Sequence, residues 1–112
     1  MKILFSLLFI CFVGTASAQE TPNLFAQCLF TVETEEEMLE LENELRELEY
    51  TTLVRLDWNT QRAFILIENL DQLTEENFMS WFGEYSETIT CIQIGVHGME
   101  EIHSYPFTNC EN

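Results

Sequence analysis

Of four cysteines, three lie past residue 18, and these, with two histidines and a crowd of glutamates, are the side chains here with chemistry to offer. Cys28, Cys91 and Cys110 stand far apart, and no C-x-x-C occurs that would suggest thioredoxin-type exchange. His97-Gly98-Met99, with His103 beyond, offers imidazole and thioether ligands, a set suited to copper or zinc. The competing reading is two ordinary surface histidines near a chain end, and the spacing lacks the regularity of metal motifs. Glu35-Glu36-Glu37 could be cast as acid and base. Twenty acidic residues in 112 make such neighbours inevitable, so they carry little weight. There is no G-x-S-x-G, no H-E-x-x-H and no Gly-rich phosphate loop. No D-x-[DN]-x-[DN]-G loop offers calcium a seat. No catalytic residue is assigned, and the chain reads as a non-enzyme with no resident cofactor.

The N-terminus sets the redox compartment for the cysteines. Lys2 supplies a positive start, residues 3–13 are apolar, and Ala16-Ser17-Ala18 forms an A-x-A cleavage signal. The apolar run is about half the ~20 residues needed to span a bilayer, so residues 1–18 read as a secretory signal peptide and not as an anchor. Cys11 follows Ile10, which is too bulky for a lipobox. A secreted or periplasmic address favours structural cysteines over catalytic ones. Three mature cysteines then imply one pair and one free thiol.

Past residue 18 the chain holds three arginines, Arg46, Arg55 and Arg62, against all twenty acidic residues, a formal charge of −17. Such a surface repels nucleic acid and anionic lipid, which excludes both as partners and leaves no membrane role after signal cleavage. The charge serves solubility first. Its sharper use would be docking to a basic partner.

The elements that must position these residues are legible in order. Residues 19–26 form an extended lead-in with Pro22 and Asn23. Residues 27–33 alternate, with Cys28, Phe30 and Val32 on one side and Leu29, Thr31 and Glu33 on the other, which predicts a strand. Thr34 and Glu37 form an S/T-x-x-E capping box. Met38, Leu41, Leu45 and Leu48 then mark one face of a helix. Residues 51–58 predict a second strand, and a short turn at 59–61 makes it a hairpin with a third at 62–68. Thr74 caps a second helix carrying Phe78, Trp81, Phe82 and Tyr85 on one face, ending near residues 83–86. Residues 88–97 predict the fourth strand, with Ile92, Ile94 and Val96 opposed to Ile89, Cys91 and Gln93, and with Gly95 marking a bulge.

The order β-α-β-β-α-β is that of a ferredoxin-like α+β fold: a four-stranded antiparallel sheet with both helices on one face and strands one and three in the centre. The domain is placed at residues 27–97, and residues 98–112 form a tail packing on the sheet.

From Cys28 to about Val96 the chain resembles the heavy-metal-associated domain of copper chaperones and metal-transport ATPases. The resemblance lies in element order, in short strands and in the series Leu41, Leu45, Leu48 running straight into the second strand. That family holds a soft ion between the cysteines of M-x-C-x-x-C. Here the corresponding positions fall at or near Thr34 and Glu37, hard ligands that would not hold Cu(I). The resemblance implies a degenerate domain that keeps the scaffold without the site. Metal binding through other ligands is the alternative it leaves open.

One face is less bland. Leu29, Leu53, Phe64, Leu66 and Cys91 collect on the sheet side away from the helices, where an open face would be polar. They require a cover: the tail, a second subunit or a partner protein. Ile102, Tyr105, Phe107 and Cys110 make the tail a candidate. Alternation turns Cys91 outward and Cys28 inward, which predicts a Cys91–Cys110 disulfide. A slip of one residue would make Cys28–Cys110 equally reachable. The chain is thus read as a small secreted or periplasmic binding or structural module whose partner, another protein or itself, it does not name.

Overall fold

The computed structural model describes residues 23–110. The leader read in residues 1–18 lies outside the described residues. Strand β1 (Leu24–Leu29) leads to helix α1 (Glu35–Arg46), the hairpin β2 (Thr51–Asp57) and β3 (Arg62–Ile67), helix α2 (Glu75–Ser80), a 3₁₀ turn (Gly83–Thr88) and β4 (Thr90–Val96). The sheet order is β2-β3-β1-β4 with every pair antiparallel. This is the ferredoxin-like α+β fold, with β1 and β3 central.

Helix α1 begins where its cap dictates. Thr34 Oγ1 accepts the Glu37 N–H at 3.1 Å, and Glu37 Oε1 accepts the Glu33 N–H at 3.0 Å. Thr34 satisfies one orphan helix donor, Glu37 reaches back to the residue before the cap, and Glu35, Glu36 and Glu37 sit at the positive end of the helix dipole. At the other end Thr51 Oγ1 donates to the Leu45 carbonyl at 2.9 Å, tying the helix to the strand that follows. Met38, Leu41 and Leu45 are buried as the 3.6-residue period requires.

The inner face of the sheet supplies the rest of the core. Leu24, Ala26, Cys28, Phe30 and Val32 face Val54, Ala63, Ile65 and Ile67 in one buried cluster with Phe78 and Phe82. Phe82 sits between Phe30 (5.5 Å between centroids) and Phe78 (5.2 Å). A fully buried side chain of this size contributes about 1.5–3 kcal/mol.

Three boundaries differ from the sequence reading. Strand β1 starts at Leu24, inside the expected lead-in, and ends at Leu29. As a central strand covered on both faces, its LFAQCL reads as a near-continuous buried run and not as an alternation. The alternation from Phe30 to Val32 persists off the ladder. Phe30 N–H bonds the Gln61 carbonyl and Val32 N–H bonds Gln61 Oε1 (2.8 Å), so a turn residue takes over from a strand. Second, α2 stops at Ser80. Trp81 and Phe82 already bond three residues back, to Phe78 and Met79, and Gly83 at φ 56° breaks the helix into the 3₁₀ turn. Third, the bulge lies not at Gly95 but at Cys91-Ile92, opposite Cys28, with Cys91 at φ 57°. Gly95 pairs with Phe25 in regular register. The bulge reverses the parity before it, so Ile89, expected outward with Cys91, joins the core.

Candidate partner-binding face

The face away from the helices is laid out by strand register. Leu53, Leu66, Phe25 and Gly95 form one row across β2, β3, β1 and β4, and Arg55, Phe64, Gln27 and Gln93 form the next. A third row runs Asp57, Arg62, Leu29 and Thr90. Of the outward residues named from the sequence, Leu29, Leu53, Phe64 and Leu66 lie in these rows, and Cys91 sits in the β4 bulge, outside the register.

The tail covers half of it. Gly98 at φ 91° turns the chain back, and Met99 and Glu100 both donate to the Val96 carbonyl at 3.1 Å. Gln93 then holds the tail from both sides of its amide: Nε2 donates to the Glu101 carbonyl, and Oε1 accepts the His103 N–H, each at 2.9 Å. Gln27, only 4% exposed, donates to Gln93 Oε1 (2.9 Å) and to the His103 carbonyl (3.1 Å). Tyr105 lies beneath the Arg62 guanidinium, 4.8 Å from centroid to Cζ. The chain returns to β4, where Asn109 Nδ2 donates to the Ile92 carbonyl at 3.0 Å and Cys110 is joined to Cys91. Cys28 is the free, buried thiol, and its burial pushes its pKa far up.

The cover is thus built differently from the apolar lid expected. Ile102 and Tyr105 remain 37% and 43% exposed. The two glutamines carry the attachment, and the only sequence signal for them was a polar residue at outward positions on two neighbouring strands. A buried amide must be bonded, so Gln27 selects one path for the tail, and half-buried Gln93 holds it there.

The tail leaves the β2–β3 half open. Leu53, Phe64 and Leu66 are half-buried, and Arg55 is exposed. A groove of about 950 Å³ lies here between the strands and the tail, bordered by Arg55, Arg62, Phe64, Ile102 and Tyr105. A second, of about 500 Å³, runs along the edge of β2 between Arg46 and Arg55. All three arginines therefore border β2. Arg46 is paired to Glu42 at 2.7 Å, and it is the one ion pair among the described residues. Asp57 is turned into its own hairpin, accepting from Thr60 Oγ1 and the Thr60 N–H, which hold its carboxyl below the usual carboxylate range, with the nearby Arg62 charge assisting. The acids gather elsewhere. Glu37, Glu40, Glu44 and Glu84 surround Tyr85 at the α1–3₁₀ corner, where burial and then the charges of Glu37 and Glu84 raise its phenol pKa.

The residues offered as metal ligands are not drawn to one cavity. His97 borders a small cleft with Asn23, Thr52 and Glu68, His103 borders the large groove, and Met99 is 81% exposed. No group of three or more His, Cys, Asp or Glu among the described residues could hold a metal ion. At the β1–α1 junction, Thr34 and Glu37 are engaged as a helix cap. No helix among the described residues is long and apolar enough to cross a membrane. Compared with known proteins, the chain matches no family model, no curated relative and no solved structure.

Proposed function

We propose that this protein is a small, non-enzymatic binding module of the secreted or periplasmic space, and that the open β2–β3 half of its outer face receives a partner protein. One observation carries the reading. The tail is bonded and disulfide-linked over the β1–β4 half of this face, yet Leu53, Phe64 and Leu66 beside it are only half-buried. A module built only to be inert would extend its cover over apolar residues on that side. The disulfide supports the oxidising address.

The resemblance to the heavy-metal-associated domain enters this proposal as a likeness of scaffold. The capping role of Thr34 and Glu37 supports a junction that serves the helix, and the separate settings of His97 and His103 give metal binding less support than partner binding.

A photocrosslinking amino acid placed at Leu66, and separately at exposed Leu39 on α1, tests the reading in producing cells. A discrete adduct from position 66, absent from position 39 and lost with Phe64→Asp, is the expected result. Equal labelling from both positions would remove the partner face. Stoichiometric copper or zinc in the purified protein would favour the metal reading instead.

A further inference from the structure

The two edges of the sheet are treated differently. At β4, the tail is bonded to the Ile92 carbonyl and covalently joined to Cys91. At β2, among the described residues, no further strand pairs with the edge, and the Val54 carbonyl takes a bond from the Arg46 side chain at 3.2 Å. Alternation then leaves the backbone groups of Val54 and Leu56 on the open side. An exposed edge is a template for another strand, and proteins usually blunt it.

The charges around this edge are as unusual as the edge. In a chain of twenty acidic residues and no lysine past residue 2, every arginine borders β2. Of the acids bordering the two grooves, Glu42 is tied to Arg46 and Asp57 to Thr60, while Glu68 lies beside Thr52 at the other end of the strand. Among the described residues Arg55 has no ion pair, and it projects, exposed, on the same face as the half-buried Leu53, Phe64 and Leu66.

We propose that β2 is a docking edge for an extended segment of a partner protein, which adds to the sheet as a fifth strand and sets a carboxylate, flanked by apolar side chains, against Arg55. The inference rests on the partner-face reading above and names the partner's chemistry. Main-chain bonds to Val54 and Leu56 would give affinity, and alternate side chains over Leu53, Arg55 and Phe64 would give selectivity. A basic segment would meet three guanidinium groups. A second copy of this chain fits the edge poorly, since it brings a formal net charge of −16 against −16, where a segment with one carboxylate brings one negative charge.

The test uses the oxidised, ¹⁵N-labelled protein and a doubly capped peptide, acetyl-Thr-Val-Thr-Glu-Thr-Val-Thr-amide, with Gln and Lys versions at the central position. The expected result is slowed amide exchange at Val54 and Leu56 on adding the Glu peptide. Its affinity should exceed that of the Gln peptide by about tenfold, the scale of one charge-assisted hydrogen bond, with the Lys peptide weakest. Arg55→Gln should erase the preference and keep the protection. With the peptide antiparallel to β2 and Glu opposite Arg55, the two threonines flanking Glu face Val54 and Leu56, so N-methylation of those two threonines should abolish binding, a control that leaves the protein's own folding untouched. Equal binding of Glu and Lys peptides, or no binding of the Glu peptide at millimolar concentration, would overturn the inference. Shifts at Phe64 and Leu66 without protection at Val54 and Leu56 would also overturn it, while leaving the partner face standing.

Discussion

Glu100 closes directly over Gly95. A Cβ at Gly95 would come within 2.5 Å of Glu100 Oε1 and 2.9 Å of the Phe25 ring. The glycine in β4 is therefore there for close approach, because the tail crosses the sheet at this point and Phe25 is fully buried beneath it. The carboxylate is the far end of a flexible side chain and can swing away. The ring cannot. Gly95→Ala should destabilise the protein by about 1–3 kcal/mol, the usual cost of overpacking. Adding Glu100→Ala should recover only a minor part of that loss. Urea unfolding of the single and double variants measures both, and full recovery in the double variant would place the strain on Glu100 instead.

The Cys91–Cys110 bridge closes a loop with a sequence separation of 19. The chain-entropy account gives such a loop about 3 kcal/mol. Cys110→Ser should lower stability by about that amount. It should also speed amide exchange at His103, whose N–H is held by Gln93 on the tail's path to the bridge. Unchanged exchange at His103 would mean that the glutamine bonds hold the tail without the covalent link.

Thr34 and Glu37 serve the helix at the β1–α1 junction. Thr34→Ala should cost about 1 kcal/mol through loss of the N-cap. Copper titration followed by calorimetry should give the same trace before and after the substitution. A lost copper isotherm at unaltered melting temperature would show that the junction is a site.

Cys28 is free, fully buried and surrounded by apolar side chains, so burial raises its thiol pKa. Native protein should resist iodoacetamide at this residue and react only on unfolding. The pH dependence has a definite sign. The folded state holds the proton more tightly than the unfolded chain, so Cys28 contributes its full stability below the ordinary thiol pKa of 9.0. That contribution falls as pH rises past it, when the unfolded thiol ionises and the folded one does not. Against Cys28→Ala as reference, the parent should lose urea stability progressively above that pH. A constant difference across the range would show that the thiolate is accommodated in the fold.

Much of this molecule was written locally. The cap at Thr34, the apolar stripe of Met38, Leu41 and Leu45, and the alternation of β3 and of residues 28–32 depend on neighbours within four residues or on a period of two. These are short-range effects that a sequence displays directly. Element order then constrained the topology, because a crossover helix after each of β1 and β3 puts those strands in the centre. Facing followed from alternation, and with it the pairing of Cys91 with Cys110 and the burial of Cys28.

What only the tertiary structure decided depends on long-range register and on which polar group meets which. The covered outer side of β1 made Leu24–Ala26 part of the strand, because Phe25 has a lid. The bulge at Cys91 turned Ile89 into the core, since one extra residue on β4 shifts every side chain before it. Gln27 and Gln93, 66 residues apart, became the tail's anchor because the β1–β4 register sets them side by side, where their amides can bond each other and the tail. The convergence of Arg46, Arg55 and Arg62 on β2 has the same origin. Antiparallel pairing with β3 brings Arg62 opposite Asp57, one row beyond Arg55's on the same face, and α1 delivers Arg46 to the Val54 carbonyl from the other side. No periodicity announces a meeting of that kind, because its partners are chosen by the folded sheet and not by the chain.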